Sequence, residues 1–575
     1  MKIVRRESHA ELARELEKAG MHPLLARLYA SRGVHTPSEI DEGLAHLLPP
    51  SDLLNIDAAA QLLAQAIAND TRICIVADYD CDGASACAVA MRGLRALGAK
   101  SVNYLVPDRV QDGYGLTPTL AQRVAATGAQ LLITVDNGIA SIEGVAAAKQ
   151  LGLQVLVTDH HLCAVIDGRI QLPAADAIVN PNLPACGFAS KSLAGVGVMF
   201  YVLLHLRTQL RAAGRFTTDT QPRLDALLPL VALGTVADVV KLDANNRRLV
   251  AQGLKRIRAG QCPAGLAALF QIGGKDARVA TSQDFGFVLG PRINAAGRLS
   301  DMTLGIECLI TDDPERAQTL ALQLDAINRE RRAIESDMRE QAQMLAESMF
   351  SDDELPPPAL CVFDPDFHEG VVGIVASRLK EKWHRPTFVF AASGAEGHEE
   401  ELKGSGRSIP GFHLRDALDW VAKQHPGVLI KFGGHAMAAG CTIHADALDE
   451  FEHAFQTVAQ TWLDPHTLTR EIETDGPLHA HERSVATAEL LSQPVWGQGF
   501  AAPVFSDVLP VVSQRVVGSG HLQMKLDHLG ETVDAIWFGR TEPVPSPAHL
   551  AFRLDINEFR GQRKLQFMIE GMADD

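Results

Sequence analysis

The stretch RICIVADYDCDG, residues 72–83, constrains this chain more than any other. Ile73 to Ala77 form an unbroken apolar run, which predicts a strand covered on both faces, as in a parallel sheet. The run ends in three carboxylates at alternate positions, Asp78, Asp80 and Asp82, and then Gly83. Residues 84–97 follow as a helical pattern, small and apolar on one side. Acids this close repel one another and resist desolvation, so a fold that gathers them at a strand end needs a cation. Oxygen donors favour Mg2+ or Mn2+. A helix N-cap followed by a solvated acidic turn accounts for the same residues without a metal.

Two later segments repeat the pattern. Leu131 to Val135 is followed by Asp136, Asn137 and Gly138, and Val155 to Thr158 by Asp159, His160 and His161. In a parallel sheet all strand C-termini lie on one edge, and ligands bind in the crevice there. Asp78, Asp80, Asp82, Asp136, Asp159, His160 and His161 are therefore expected to converge, although more than 80 residues separate the first from the last. Asp238, at the end of the apolar helical pattern LLPLVALGTVAD, adds a further acid. Carboxylates with one or two imidazoles suit a two-metal phosphoryl-hydrolysis centre, whose ions lower the pKa of a bridging water and neutralise the leaving oxygen.

At 575 residues the chain is too long for a single core. A helical lead-in is expected over 1–56, with residues 1–20 a charged amphipathic helix rather than a signal peptide. An α/β lobe with alternating strands and helices spans 57–312, and one long, charged helix spans 313–350. The charge density of that helix reads as a solvated face for Arg329, Arg331 and Arg332. SDDELPPP, residues 351–358, reads as a linker into a second α/β lobe over 351–465, in which GSGRS is expected as a basic loop. Short strands dominate 466–575 and suggest an OB-like β-barrel.

The net charge of −17 argues against a general polyanion-binding surface, so any nucleic-acid contact must be local, through a few arginines in a groove. The nine cysteines are scattered without a CxxC pair, which suggests neither a zinc site nor a disulfide framework and fits a reducing cytoplasm. No apolar run reaches the length of about 18 residues that a membrane span needs.

Outside the acids, several residues suit substrate. Arg109 lies in a Pro-Asp-Arg loop and Tyr114 between two glycines. Arg292, Asn294 and Arg298 form a polar cluster within GPRINAAGRL. Ser405 and Arg407 offer a hydroxyl and a forked guanidinium suited to a terminal phosphate. Gly433 and Gly434, before His435, let backbone approach a phosphate closely. A structural salt bridge is the alternative for Arg298, and a helix cap for His368. In the barrel, Trp537, Phe538, Phe559, Arg560, Arg563 and Lys564 are candidates for stacking and holding bases.

DYDCDG, VDNG, TDHH and GTVAD, in this order, resemble the motifs of the DHH phosphoesterases. The likeness extends through PDRVQDGYGL, VNPN, AGVGV, NNRRLV, GPRINAAGRL, HEGVVGIVASRL, GSGRS and KFGGHAMAAG, and covers roughly residues 50 to 575. It implies a parallel-sheet DHH lobe joined by a long helix to a smaller DHHA1-like α/β lobe. The order of motifs is most similar to the bacterial branch that degrades single-stranded DNA from its 5′ end, releasing 5′-mononucleotides with Mn2+ or Mg2+. The resemblance puts two divalent ions on Asp78, Asp80, Asp82, Asp136, His160 and Asp238. It gives catalytic roles to Asp136, to His161 as a hydrogen-bond partner of the scissile phosphate or of the water, and to Asp159 as the residue that orients a histidine. It assigns the 5′-end pocket to Arg109, Ser405 and Arg407, and scissile-phosphate contacts to the Gly433–Gly434–His435 loop. A helicase and a single-strand-binding protein are the implied partners, in recombination and repair. A DHH enzyme acting on short oligonucleotides and a non-catalytic single-strand-binding relative are the alternatives. The long helix and the barrel speak against the first, and the complete set of acids against the second.

Overall fold

The structure is a computed structural model that describes residues 1–575 except 109–111, 113, 167–168, 351–355, 396, 465–466, 519, 560 and 575. The expected contact residue Arg109, the barrel residue Arg560 and most of the expected linker lie outside the described residues.

The first lobe is built on five parallel strands in the spatial order Val102–Leu105, Ile73–Ala77, Leu131–Val135, Gln154–Thr158 and Ala177–Val179. Every residue of Ile73–Ala77 and Leu131–Val135 is buried. Successive strand side chains point to opposite faces, so helices must cover both, and the continuous apolar runs are the sequence record of that cover. The helices Cys81–Ala96, Gly195–Ala212 and Leu228–Ala237 pack on one another over the sheet.

The N-terminal segment departs from the expected helical lead-in. Lys2–Arg5 is a strand that pairs in parallel with Glu471–Thr474, and the helices Ala10–Lys18 and Pro23–Ala30 follow it. Four residues, two apolar between two charged, carry too little signal to declare a strand whose partner lies more than 460 residues away. Tyr29 stacks on Phe500 with ring centroids 5.7 Å apart, which ties this segment to the region just before the barrel.

The helix Pro314–Glu347 is capped by Asp313, whose carboxylate accepts from Glu315 N at 3.0 Å. At 1.5 Å per residue it is about 50 Å long. Its first half buries Ala317, Ala321 and Leu324 in the core of the first lobe, and its last turns bury Met338, Ala342 and Ala346 in the core of the second. Between these apolar zones Arg331 is buried rather than solvated. It donates to Glu335 Oε2 at 2.6 Å and to Asn328 Oδ1 at 3.1 Å, and Glu335 also accepts from Arg378 Nε of the second lobe at 3.1 Å. Charge density alone did not distinguish a buried ion pair from a wet face.

The second lobe is a mixed sheet in the order Lys431–Gly434, Ala438–His444, Glu401–Arg407, Thr387–Ala392 and Leu360–Phe363. GSGRS is not the expected loop: it is the end of a central strand, paired on both sides. Its glycines make room for rings, since a Cβ at Gly404 would meet Phe390 at 2.3 Å and one at Gly406 would meet Phe388 at 2.5 Å. The third body is a six-stranded sheet in the order Phe505–Leu509, Ala548–Phe559, Gln562–Met572, Glu531–Phe538, His521–His528 and Val511–Val517. No helix among the described residues is long and apolar enough to cross a membrane.

Candidate metal centre

The first-lobe strands deliver their acids to one edge. Asp78, Asp82, Asp136 and Asp159 are each at most 4% exposed. Three overlapping groups of donor atoms each lie within 4.8 Å of one another: Asp78, Asp80 and Asp136; Asp82, His160 and Asp238; and Asp136, His160 and His161. His160 Nε2 lies 3.1 Å from Asp136 Oδ1, 3.4 Å from Asp238 Oδ2 and 4.0 Å from Asp82 Oδ2. These atoms face each other without being bonded. His160 Nε2, Asp136 Oδ1 and Asp238 Oδ2 are buried and have no hydrogen-bond partner among the described residues. Buried polar atoms are almost always paired. A set of lone pairs turned inward on a common point fits a divalent cation, and the oxygen-rich donors fit Mn2+ or Mg2+.

The electrostatics agree. Burial, and then the charge of Asp80, raises Asp82 to about 7, although two backbone amides pull it down. Burial and the neighbouring acids raise Asp136 and Asp238 well above the usual carboxylate range. Burial, with the nearby charge of His161, lowers His160 to about 3, which leaves a neutral imidazole with a lone pair to give. His161 goes the other way. Burial opposes its charge, but the bond to Asp159 and the charges of Asp159, Asp78 and Asp80 outweigh it and raise the imidazole to about 9.

Local sequence explains each position. Asp80 caps the helix Cys81–Ala96 by accepting from Gly83 N at 2.9 Å, so the capping role is real and coexists with the acid cluster. A Cβ at Gly83 would stand 2.6 Å from Asp78 O, which is why glycine closes the motif. Asp136 holds a left-handed backbone at φ 62°, a conformation that Asp tolerates better than most side chains. Asn137 Nδ2 donates to Val76 O and Val135 O at 3.1 and 2.9 Å, clamping two strand ends together. Asp159 accepts from His161 Nδ1 at 2.7 Å, His160 N at 2.7 Å and Ile139 N at 2.9 Å. Asp238 is the C-cap of Leu228–Ala237.

Several positioning residues escaped the reading of individual side chains and appeared there only as motif strings. The amides of Gly195 and Val196, in AGVGV, donate to Asp82 at 2.6 and 2.9 Å from a helix N-terminus, where negative charge is favoured. Asn180 and Asn182, in VNPN, donate to His161 O and His160 O at 2.9 and 2.6 Å and fix the two histidines.

The substrate candidates divide. Tyr114 is exposed and its hydroxyl lies 3.3 Å from His161 Nδ1. Asn294 Oδ1 accepts from Cys81 N at 2.8 Å and so holds the acid-bearing loop. Arg292 is held from within the protein. Its Nε donates to Asp325 Oδ1 at 2.9 Å, its Nη1 donates to Val288 O at 2.6 Å, and the residue is 8% exposed. Arg298 donates to Gly370 O at 3.1 Å and thereby joins the two lobes, and His368 Nδ1 accepts from Gly370 N at 3.0 Å as a local cap. In the second lobe Arg407 Nη1 donates to Ser405 Oγ at 3.1 Å on one strand. Gly433 and Gly434 end the edge strand Lys431–Gly434, and His435 N closes its turn on Ala438 O at 2.7 Å. Burial lowers His435, and the nearby charge of His161 lowers it further.

An acid-and-imidazole edge of this order, joined to a glycine-rich second lobe, defines the DHH phosphoesterase class. Residues 72–235 match the DHH family, N-terminal domain, residues 357–461 the DHHA1 domain, and residues 474–571 the RecJ OB domain. The chain is 48% identical over 562 residues to the single-stranded-DNA-specific exonuclease RecJ of Salmonella typhimurium, covering 96% of each. To the enzyme of that name from Escherichia coli it is 46% identical over 564 residues, again covering 96% of each. The crystal structure of RecJ from Thermus thermophilus in complex with Mn2+ is similar with a TM-score of 0.80 at 28% identity, covering all of this chain and 79% of that one. The chain belongs to the RecJ family of single-stranded-DNA-specific exonucleases.

Proposed function

We propose that the protein removes nucleotides one at a time from the 5′ end of single-stranded DNA, releasing 5′-mononucleotides by metal-dependent phosphodiester hydrolysis. The observation that carries this reading is the inward-facing, unbonded set of Asp136 Oδ1, His160 Nε2 and Asp238 Oδ2 at the sheet edge. Asp78, Asp80, Asp82, Asp136, His160 and Asp238 would hold two divalent cations, Mn2+ or Mg2+. Such cations, when bound, lower the pKa of water and neutralise charge on a leaving oxygen. The amides of Gly195 and Val196 keep Asp82 aimed inward, and the Asn180 and Asn182 amides keep the two histidines in place. His161, cationic and held through Nδ1 by Asp159, donates from Nε2 to a nonbridging oxygen of the scissile phosphate. Tyr114 restrains the same ring. From the second lobe, the Gly433–Gly434–His435 turn would contact that phosphate, its glycines letting the backbone come close. Ser405 and Arg407 bind the terminal 5′-phosphate one nucleotide away, which sets both polarity and step length.

A strand threading between the two lobes, which Arg298 on Gly370 O and the long helix join, would leave room for a single strand in preference to duplex. A helicase that opens duplex and a protein that coats single strands would supply such a substrate. The test is a ladder assay on end-labelled single-stranded, blunt and overhang oligonucleotides, with and without EDTA. Single-nucleotide steps from the 5′ end, confined to single strands and abolished by EDTA, are expected. Release from the 3′ end, or equal attack on blunt duplex, would refute the reading.

A further inference from the structure

Ser282–Asp284, Phe285–Leu289 and Gly290–Leu299 run head to tail as one helix, and the middle segment is a π-helical turn. Such turns are rare and concentrate at functional sites. Here the turn separates two phenylalanines: Phe285 is fully buried, whereas Phe287 is 75% exposed. Within the α-helical part, positions 291, 294 and 298 share one face, and Phe287 stands about one turn before Pro291, in the π-helical turn. Asn294 directs that face at the acid loop through Cys81 N, and Arg298 directs it at the second lobe through Gly370 O. Phe287 is thus an exposed ring at the far end of the element whose face reaches the acid loop, eleven residues and about 16 Å before Arg298.

Its neighbours pack against the element that carries Asp238. A Cβ at Gly286 would meet Val236 Cγ1 at 3.6 Å, and one at Gly290 would meet Ala237 Cβ at 3.2 Å. Immediately after Asp238, Val239 is 63% exposed and holds φ at 60°, a conformation that β-branched residues rarely adopt and that concentrates where backbone strain serves a site. Two exposed apolar side chains thus stand on adjoining elements beside the metal centre.

We propose that Phe287, flanked by Val239, is the stacking platform for a nucleobase on the 3′ side of the cleaved phosphate. The inference rests on the single-strand exonuclease reading and adds to it a subsite in the catalytic lobe itself. Polarity follows from position. The Arg298 end of the helix abuts the second lobe, where a Cβ at Gly373 would meet Ser405 Oγ at 2.8 Å and Arg407 Nη2 at 2.9 Å, so that end is the 5′-phosphate end. Phe287 lies at the other end, where the uncut strand must run. Stacking on an aromatic ring is indifferent to base identity, as an exonuclease that meets every sequence requires.

The test is abasic scanning with Mn2+ present. Oligonucleotides carrying one abasic nucleotide at successive positions from the 5′ end are given to the wild type, Phe287→Ala and Phe287→Trp. In the wild type, an abasic nucleotide just 3′ of the cleaved phosphate is expected to raise KM by about fivefold to a hundredfold, the range for loss of one stacked base. Phe287→Ala is expected to show that rise on the intact oligonucleotide and no further rise on the abasic one. Phe287→Trp, which keeps a ring, is expected to retain the wild-type pattern. Wild-type KM in Phe287→Ala, or an unchanged abasic profile in that variant, overturns the proposal. A wild type that leaves the intact strand undegraded overturns the exonuclease reading itself, and the subsite with it.

Discussion

His160 Nε2 and Asp136 Oδ1 stand 3.1 Å apart, both buried, and neither has a hydrogen-bond partner among the described residues. Two such atoms are held close and kept unpaired because something must come between them. Asp136→Asn keeps the shape of the side chain and removes the charge. Loss of one ligand should lower the rate on 5′-labelled single strands with Mn2+ by at least about a hundredfold. The same change relieves repulsion among buried acids, so the metal-free variant should melt above the metal-free wild type, and Mn2+ should raise its Tm less. Differential scanning fluorimetry with and without Mn2+ reads both effects.

The perturbed groups fix how metal-free stability depends on pH. Asp82 is raised from an ordinary value of 3.8 to about 7, so the folded state binds its proton more tightly, and stability falls as pH rises between those values. His161 is raised from 6.5 to about 9, so its contribution is full below 6.5 and is lost as pH rises through 9. Both act in the same direction. His160, lowered from 6.5 to about 3, opposes them only below pH 6.5. The metal-free protein should therefore lose Tm from pH 6.5 to pH 9, and Mn2+ should raise Tm more at pH 8 than at pH 6. An equal Mn2+ increment at the two pH values would contradict the assignment.

Asn182 touches neither phosphate nor metal in the proposed scheme, yet its Nδ2 holds His160 O at 2.6 Å. Removing such a support from a ligand weakens metal affinity by about ten- to a hundredfold. Asn182→Ala should therefore need that much more Mn2+ for half-maximal rate and recover most of the wild-type rate at saturation. A variant that is equally slow at every Mn2+ concentration would place the residue elsewhere.

The pocket on the second lobe makes a prediction about substrate ends. Arg407→Ala should abolish the preference for a 5′-phosphorylated over a 5′-hydroxyl strand, because the guanidinium beside Ser405 Oγ is the proposed partner of that phosphate. The comparison of the two substrates in wild type and variant decides it. A preference that survives intact removes Arg407 from the pocket.

How much of this was visible in the chain itself depends on whether the signal was local. Ile73 to Ala77 and Leu131 to Val135 announce buried strands by unbroken apolarity, and the acids after them inherit their place from the parallel topology. The resemblance named the metal donors one by one. What could not be read was long-range or masked by propensity. Gly404 and Gly406 argue against a strand until Phe388 and Phe390 are seen to occupy the space they leave. Arg331 looks solvent-bound until Glu335, Asn328 and the second lobe enclose it. Nothing near Arg292 in the chain announces Asp325, thirty-three residues on, as the partner of its guanidinium. The amides that grip Asp82 leave no trace in side-chain chemistry at all.

The pairing of Lys2–Arg5 with Glu471–Thr474 has a consequence for biogenesis. At elongation rates of about 5–20 residues per second, the first strand leaves the ribosome roughly half a minute or more before its partner exists. Until then its edge is bare, and the nascent polypeptide carries an open latch that only late synthesis can fasten. Once fastened, the latch makes the molecule a closed loop of parts, in which the barrel is a clasp rather than a pendant.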